Sequence, residues 1–164
     1  MRLPVAVGCI CFFVLSHSAI AEDARAKLVG VWKLDKFVIE NVDTKERRPV
    51  YGEHPKGVLV MTPERLTLVL TGEGRKAPQT DEDRVASFRS MFAYSGPYTV
   101  EGDRLAIKVE IAWNEAWTGT DQVRFVKLEG DKLFVETAPA PPVNQPPGTV
   151  GSMTKGILEW SRSK

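Results

Sequence analysis

Apolar and polar residues alternate with a period of two through most of the chain, and each alternating run stops at a glycine, a proline or an Asp/Asn-rich turn. Residues 28–40 read as a first long strand, followed by a polar turn at 41–46 and a loop at 49–57 that carries two prolines and two glycines. Residues 58–61 and 66–71 form a hairpin about the turn 62–65, with Leu66, Leu68 and Leu70 on one face. A meander follows: strands at 98–101, 104–113, 119–129 and 132–137, with the dipeptides Gly102-Asp103 and Gly130-Asp131 as tight hairpin turns. Residues 138–148 hold five prolines and predict an extended loop outside the sheet. The last strand runs from about Ser152 to Arg162. No repeat or linker interrupts this pattern, so one all-β domain is expected. About eight antiparallel strands close into a barrel wide enough for side chains or for one small ligand.

Two stretches break the period. At 80–92 it becomes helical. Thr80 is a cap, Asp81, Glu82 and Asp83 sit in the first turn, and Val85, Phe88, Met91 and Phe92 share a face. One short α-helix is predicted there, lying with the 138–148 loop across a barrel mouth. At the start, Arg2, an apolar run from Pro4 to Leu15 and the small-x-small triplet Ala19-Ile20-Ala21 read as a signal peptide, residues 1–21, cut after Ala21. The domain is then 22–164, with a periplasmic or secreted location. No later run is long enough for a membrane span.

Composition narrows the function classes. Both cysteines, Cys9 and Cys11, lie in the segment to be removed, so the core alone must hold the fold. Without Arg2 the remaining 21 basic residues balance 21 acidic ones. A nucleic-acid partner therefore lacks its electrostatic footprint, and a charged membrane surface lacks its polybasic patch.

Gly30 and Trp32 are two apart and point to one strand face, where the glycine leaves room beside the indole. By itself this is an ordinary strand start with a core tryptophan. Together with Arg162 at the end of the last strand it resembles the lipocalin arrangement, in which a first-strand Trp closes the barrel floor and a late Arg packs across its ring. Further segments extend the resemblance: Tyr51-Gly52-Glu53-His54-Pro55-Lys56-Gly57 leading to Met61-Thr62-Pro63, Phe92-Ala93-Tyr94-Ser95-Gly96-Pro97-Tyr98, Val109-Glu110, Trp117-x-Gly119-Thr120, Gln122-Val123-Arg124 and Leu128 to Leu133. In this order, over nearly all of residues 22–164, they resemble a bacterial and fungal lipocalin-like family. The resemblance implies a calycin-type, antiparallel lipocalin-like β-barrel, with Gly30, Trp32 and Arg162 as structural closure. The family's function is poorly defined. A histidine often precedes its central Val-Glu, and here that position is Lys108.

Candidate chemistry is sparse. His54 is the one histidine beyond residue 21 and sits in a Gly/Pro loop, where exposure is the plainer reading, so neither a metal site nor a cofactor is expected. No Gly-x-Ser-x-Gly elbow is present. The ligand-binding candidates are Tyr51, Tyr94, Tyr98, Trp113 and Trp117, with Arg89 and Arg124 for an anionic head group; the plainer readings are core aromatics and solvated arginines. Glu110 alternates with Ile107, Val109, Ile111 and Trp113, which puts Glu110 and Lys108 toward solvent if that apolar set is internal. The expectation is a barrel that binds a small apolar or amphipathic molecule. The alternatives are an isomerase- or cyclase-type enzyme using Glu110, Tyr98 or Arg124, and a filled structural domain without ligand.

Overall fold

The computed structural model describes residues 15–141 and 152–164. Helix α1 (Leu15–Leu28) leads into strand β1 (Gly30–Asn41). Strands β2 (Arg47–Pro49), β3 (Lys56–Met61) and β4 (Arg65–Thr71) follow, then helix α2 (Asp81–Arg89). Next come β5 (Met91–Glu101), β6 (Arg104–Lys108), β7 (Ile111–Ala112), a 3-10 turn (Glu115–Trp117), β8 (Asp121–Glu129), β9 (Lys132–Thr137) and β10 (Thr154–Arg162). Strands β1, β3, β4, β5, β6, β8, β9 and β10 pair in that order, all antiparallel. The ring closes where β10 returns to β1, from Trp32 opposite Arg162 to Asn41 opposite Thr154. This is a closed eight-stranded barrel, with β2 and β7 as short additions to β1 and β5. Closure removes the exposed sheet edge that an open sheet of this size would leave.

The hairpin turns follow from their residues. Glu101 pairs with Arg104 and Glu129 with Lys132. The intervening Gly102 and Gly130 take φ of +62° and +59°, a left-handed conformation that glycine adopts without a Cβ penalty. Inward positions form the core: Trp32 and Ile107 are fully buried, and Leu66, Leu70, Val109, Leu133 and Trp160 nearly so.

The structure corrects the expected helix. Its start is as the residues dictate: the Thr80 hydroxyl accepts from the Asp83 amide, and the Asp83 carboxylate accepts from the Thr80 amide. Its end is earlier. Met91 and Phe92 pair with Thr71 and Leu70 as the first residues of β5. The face expected to pack is consequently broken, and Val85 and Phe88 remain half exposed. Pairing along β4 satisfies backbone groups that a further helical turn would have left facing the sheet.

The strand expected at 104–113 is also corrected. Tyr98 lies opposite Ile107, but Ser95 lies opposite Ile111, so three residues on one side face two on the other. This is a β-bulge at residues 108–110. Val109 stays inside, bonded to Thr120 and Gly119, whereas Ile111 is turned out and 66% exposed. Ile107 and Ile111 therefore do not share a face, because one extra residue inverts the alternation.

At the end of the barrel marked by the turns 62–64, 102–103 and 130–131, α1 covers the floor. Leu28 is buried, and the carbonyls of Lys27 and Leu28 accept bonds from Arg162 and from the Trp32 indole N–H. The expected cleavage point after Ala21 falls within α1. Of the proline loop, residues 142–148 lie outside the described residues; Ala140 bridges to Thr154.

A half-buried charge cluster braces the other end. Glu40 is 4% exposed, accepts from Arg47 at 2.7 Å and lies 3.6 Å from Lys155. The hydrogen bond from Arg47 holds its carboxyl below the usual value, against an opposing effect of burial and with help from Lys155. A carboxyl with a lowered folded-state pKa contributes stability above its unfolded value, about 4.3, and loses that contribution as pH falls through the folded value. Urea midpoints measured from neutral pH down to about pH 3 are expected to drop less steeply in Glu40→Gln than in the parent. Parallel curves would show that Glu40 carries no linkage.

Candidate functional site

The barrel interior holds a cavity of about 50 Å³. Its wall is apolar, built from inward positions such as Leu66, Leu68, Leu105, Val126, Leu133, Val135 and Leu158. Four polar-bearing side chains also line it: Tyr94, Arg124, Thr137 and Trp160. Ligand pockets usually measure about 300–1,000 Å³, so the interior is largely filled by its own side chains. A volume near 50 Å³ holds a few waters at most.

Arg124 is the chemically distinctive member. It sits on β8 in step with Val126 and Leu128, which turns it inward, and it is 7% exposed. Its guanidinium donates to the Val123 carbonyl at 2.8 Å and to the Gln122 amide oxygen at 3.3 Å, and lies 5.8 Å from the Tyr94 ring centroid. Among the described residues no carboxylate pairs with it. A buried cation without a counter-ion is costly, since hydrogen bonds to neutral groups compensate only part of the lost hydration.

The aromatic candidates separate into two groups. Phe92, Tyr94, Trp113 and Trp117 form one cluster at the α2 end of the barrel, with Phe92–Trp117 and Phe92–Tyr94 edge-to-face at 4.8 and 5.4 Å. Trp113 packs on Phe92 and Trp117 and extends the cluster to Phe88 of α2, whose carbonyl accepts its indole N–H. Within it Phe92 and Tyr94 touch the cavity, while Trp113 and Trp117 back them. Edge-to-face pairs of this kind are worth about 0.5–1.5 kcal/mol each beyond burial. Tyr51 and Tyr98 lie outside this cluster. Tyr51 packs on Phe37, and burial pushes its phenol pKa up. Tyr98 is at the floor, where its hydroxyl donates to Thr62 and Arg25 lies over its ring.

Arg89 is exposed on the last turn of α2, away from the cavity. Glu110 is on the outer surface, ion-paired with Arg65, which also donates to Ser95. Glu110, Tyr98 and Arg124, the proton-handling set considered for an enzyme, are thus distributed over the outside, the floor and the interior and do not converge. His54 is exposed and lines a polar groove outside the barrel, of about 730 Å³, with Lys56, Glu73, Arg75 and Lys76. The Glu73 carboxylate accepts from the backbone amides of Glu53 and His54. Among the described residues no group of three or more metal-ligating side chains occurs.

At the floor, the Arg162 guanidinium stacks 4.0 Å from the Trp32 ring centroid and donates to Val29 and Lys27 carbonyls at 2.9 and 2.8 Å. Gly30 has φ of +145°, and a Cβ there would lie 2.7 Å from the guanidinium. Glycine is needed at this position for backbone conformation and for space.

Phe92, Thr137 and Trp160 were not among the binding residues expected from the sequence. Trp160 had a usable signal, its parity with Leu158 on the last strand. Its indole N–H is buried with no hydrogen-bond partner among the described residues, at a cost of about 1–3 kcal/mol for such a group.

A family model for a lipocalin-like domain matches residues 29–163. Comparison with curated proteins and with solved structures returned no significant match. Among the described residues no helix is long and apolar enough to cross a membrane.

Proposed function

The chain belongs to the lipocalin-like domain family, and we propose that it binds one small amphipathic molecule inside the barrel, with an anionic head group on Arg124. The observation that carries this reading is buried Arg124, unpaired with any carboxylate among the described residues, in the wall of a mainly apolar cavity. A carboxylate would complete the ion pair in a bidentate geometry, and an alkyl or ring system would lie against the Leu/Val wall. At about 50 Å³ the cavity is too small for that body. Entry requires Phe92 and Tyr94 to swing aside, and the cluster that holds them ends at the half-exposed Phe88 of α2. Export belongs to the same reading: the apolar run before Ala21 supports a signal peptide, so the ligand would be met in the periplasm or outside the cell.

Native mass spectrometry of protein purified gently from its own host tests both parts. The expected result is a mass beginning at Glu22 and a reproducible adduct that releases an organic acid. Arg124→Gln is expected to weaken binding of that acid about tenfold or more, since a charge-assisted pair is worth about 1.5–3 kcal/mol. A ligand-free mass, with no shift against a panel of organic acids, would favour the filled-barrel reading that the 50 Å³ cavity supports.

A further inference from the structure

Trp160 lines the same cavity as Arg124, and the strand register fixes how far apart their backbone positions are. Arg124 pairs with Thr137, Val126 with Val135 and Leu128 with Leu133. On the next strand, Leu158 pairs with Val135 and Trp160 with Leu133. Trp160 is therefore level with Leu128, four residues along β8 from Arg124. At roughly 3.3 Å per strand residue this is about 13 Å along the strands. The cavity touches all three levels: Arg124 and Thr137 at the α2 end, Val126, Val135 and Leu158 in the middle, Leu133 and Trp160 toward the floor.

The two polar-bearing residues thus spring from the two ends, with aliphatic positions between. Trp160 is 1% exposed, and its N–H has no acceptor among the described residues. An indole N–H is donor only, so it cannot be satisfied by a further donor. Trp32 shows the alternative solution: its N–H reaches the Leu28 carbonyl at 2.9 Å. Buried donors left unpaired in a folded protein are uncommon, and the ring that carries this one borders the cavity.

We infer that the ligand carries a second oxygen, a hydroxyl, keto or ether acceptor, at the end remote from its acid group, and that Trp160 donates to it. This rests on the assignment of the head group to Arg124. The ligand class is an oxygenated medium-length organic acid, with a plain apolar stretch between its two polar ends.

The test uses two probes on the protein as purified from its own host, decanoic acid and its omega-hydroxy derivative, by calorimetry and by NMR of the nitrogen-15-labelled indoles. The hydroxy acid is expected to bind about tenfold more tightly than decanoic acid, as one hydrogen bond to a buried donor would provide. It is also expected to move the Trp160 indole N–H resonance downfield, with decanoic acid leaving it near its free position. Trp160→Phe is expected to equalise the two acids. The comparison within the parent protein stands even if that variant folds poorly. Equal affinities in the parent with the Trp160 resonance unmoved, as when a fixed water already occupies the donor, would overturn the inference and leave the Arg124 reading intact. Failure of both acids to bind, or binding unchanged in Arg124→Gln, would overturn the two together.

Discussion

Trp32→Ala is expected to lower the unfolding free energy by about 3–5 kcal/mol, the range for removing a large aromatic from a packed core. Stabilities of domains of this size are about 5–15 kcal/mol, so the variant would keep about half of a mid-range value or unfold outright. The physical reason is that four elements meet on this one ring. Trp32 is fully buried, pairs across β1–β3 with Leu59 and across β1–β10 with Arg162, and bonds through its N–H to the end of α1. Arg162 lies over its face, a contact worth about 0.5–2 kcal/mol depending on desolvation. That term is separable: Arg162→Ala in the Trp32→Ala background should cost less than in the parent, because the cation–π part is already lost while the bonds to Lys27 and Val29 remain. Urea unfolding followed by circular dichroism measures all three variants. A loss below about 1 kcal/mol for Trp32→Ala would mean that the floor collapses onto the vacancy and that the ring is not the closure of the barrel.

How much of this was legible in the residues depends on the range of the interaction. The strands and hairpins were, because alternation and the Gly102-Asp103 and Gly130-Asp131 turns are local signals. The helix start was also local, through Thr80 and Asp83. Its end was not: Met91 and Phe92 suit a helical face and a strand equally, and the choice was made by β4, some twenty residues earlier. Arg124 could be placed inside by parity with Val126 and Leu128. The separation of Glu110 from the interior was foreseeable as one of two faces, but its partner Arg65 lies 45 residues away and left no mark near it. The role of α1 was hidden for the same reason, since its Lys27 and Leu28 carbonyls matter only once β1 and β10 have closed. Cavity volume was the least accessible quantity. Aromatic supply suggested a pocket, yet of those rings only Tyr94 lines the cavity, whose wall is mostly aliphatic.

The bulge at 108–110 is the strongest case of a long-range constraint, and Gly96→Ala is expected to expose it, with a loss of about 3 kcal/mol, the upper end for forced overpacking. Gly96 has no positive φ, so backbone conformation is not the issue. Space is: a Cβ at residue 96 would sit 1.8 Å from the Lys108 carbonyl oxygen and 2.8 Å from its carbon. Both obstacles are backbone, so no side-chain rotation relieves them. The variant must push β6 from β5 just where Val109 turns inward and where the Glu110 amide bonds to Ser95. Moving that segment also disturbs the 109–119 and 109–120 bonds that anchor the loop carrying Trp113 and Trp117. The effect should therefore appear twice, as a lower urea midpoint and as faster amide exchange at Val109, Glu110 and Gly119, with the floor residues around Trp32 little changed. A Gly96→Ala protein with parental stability and exchange would show that β6 shifts freely, and the bulge would then be a consequence of the loop and not of the glycine opposite it.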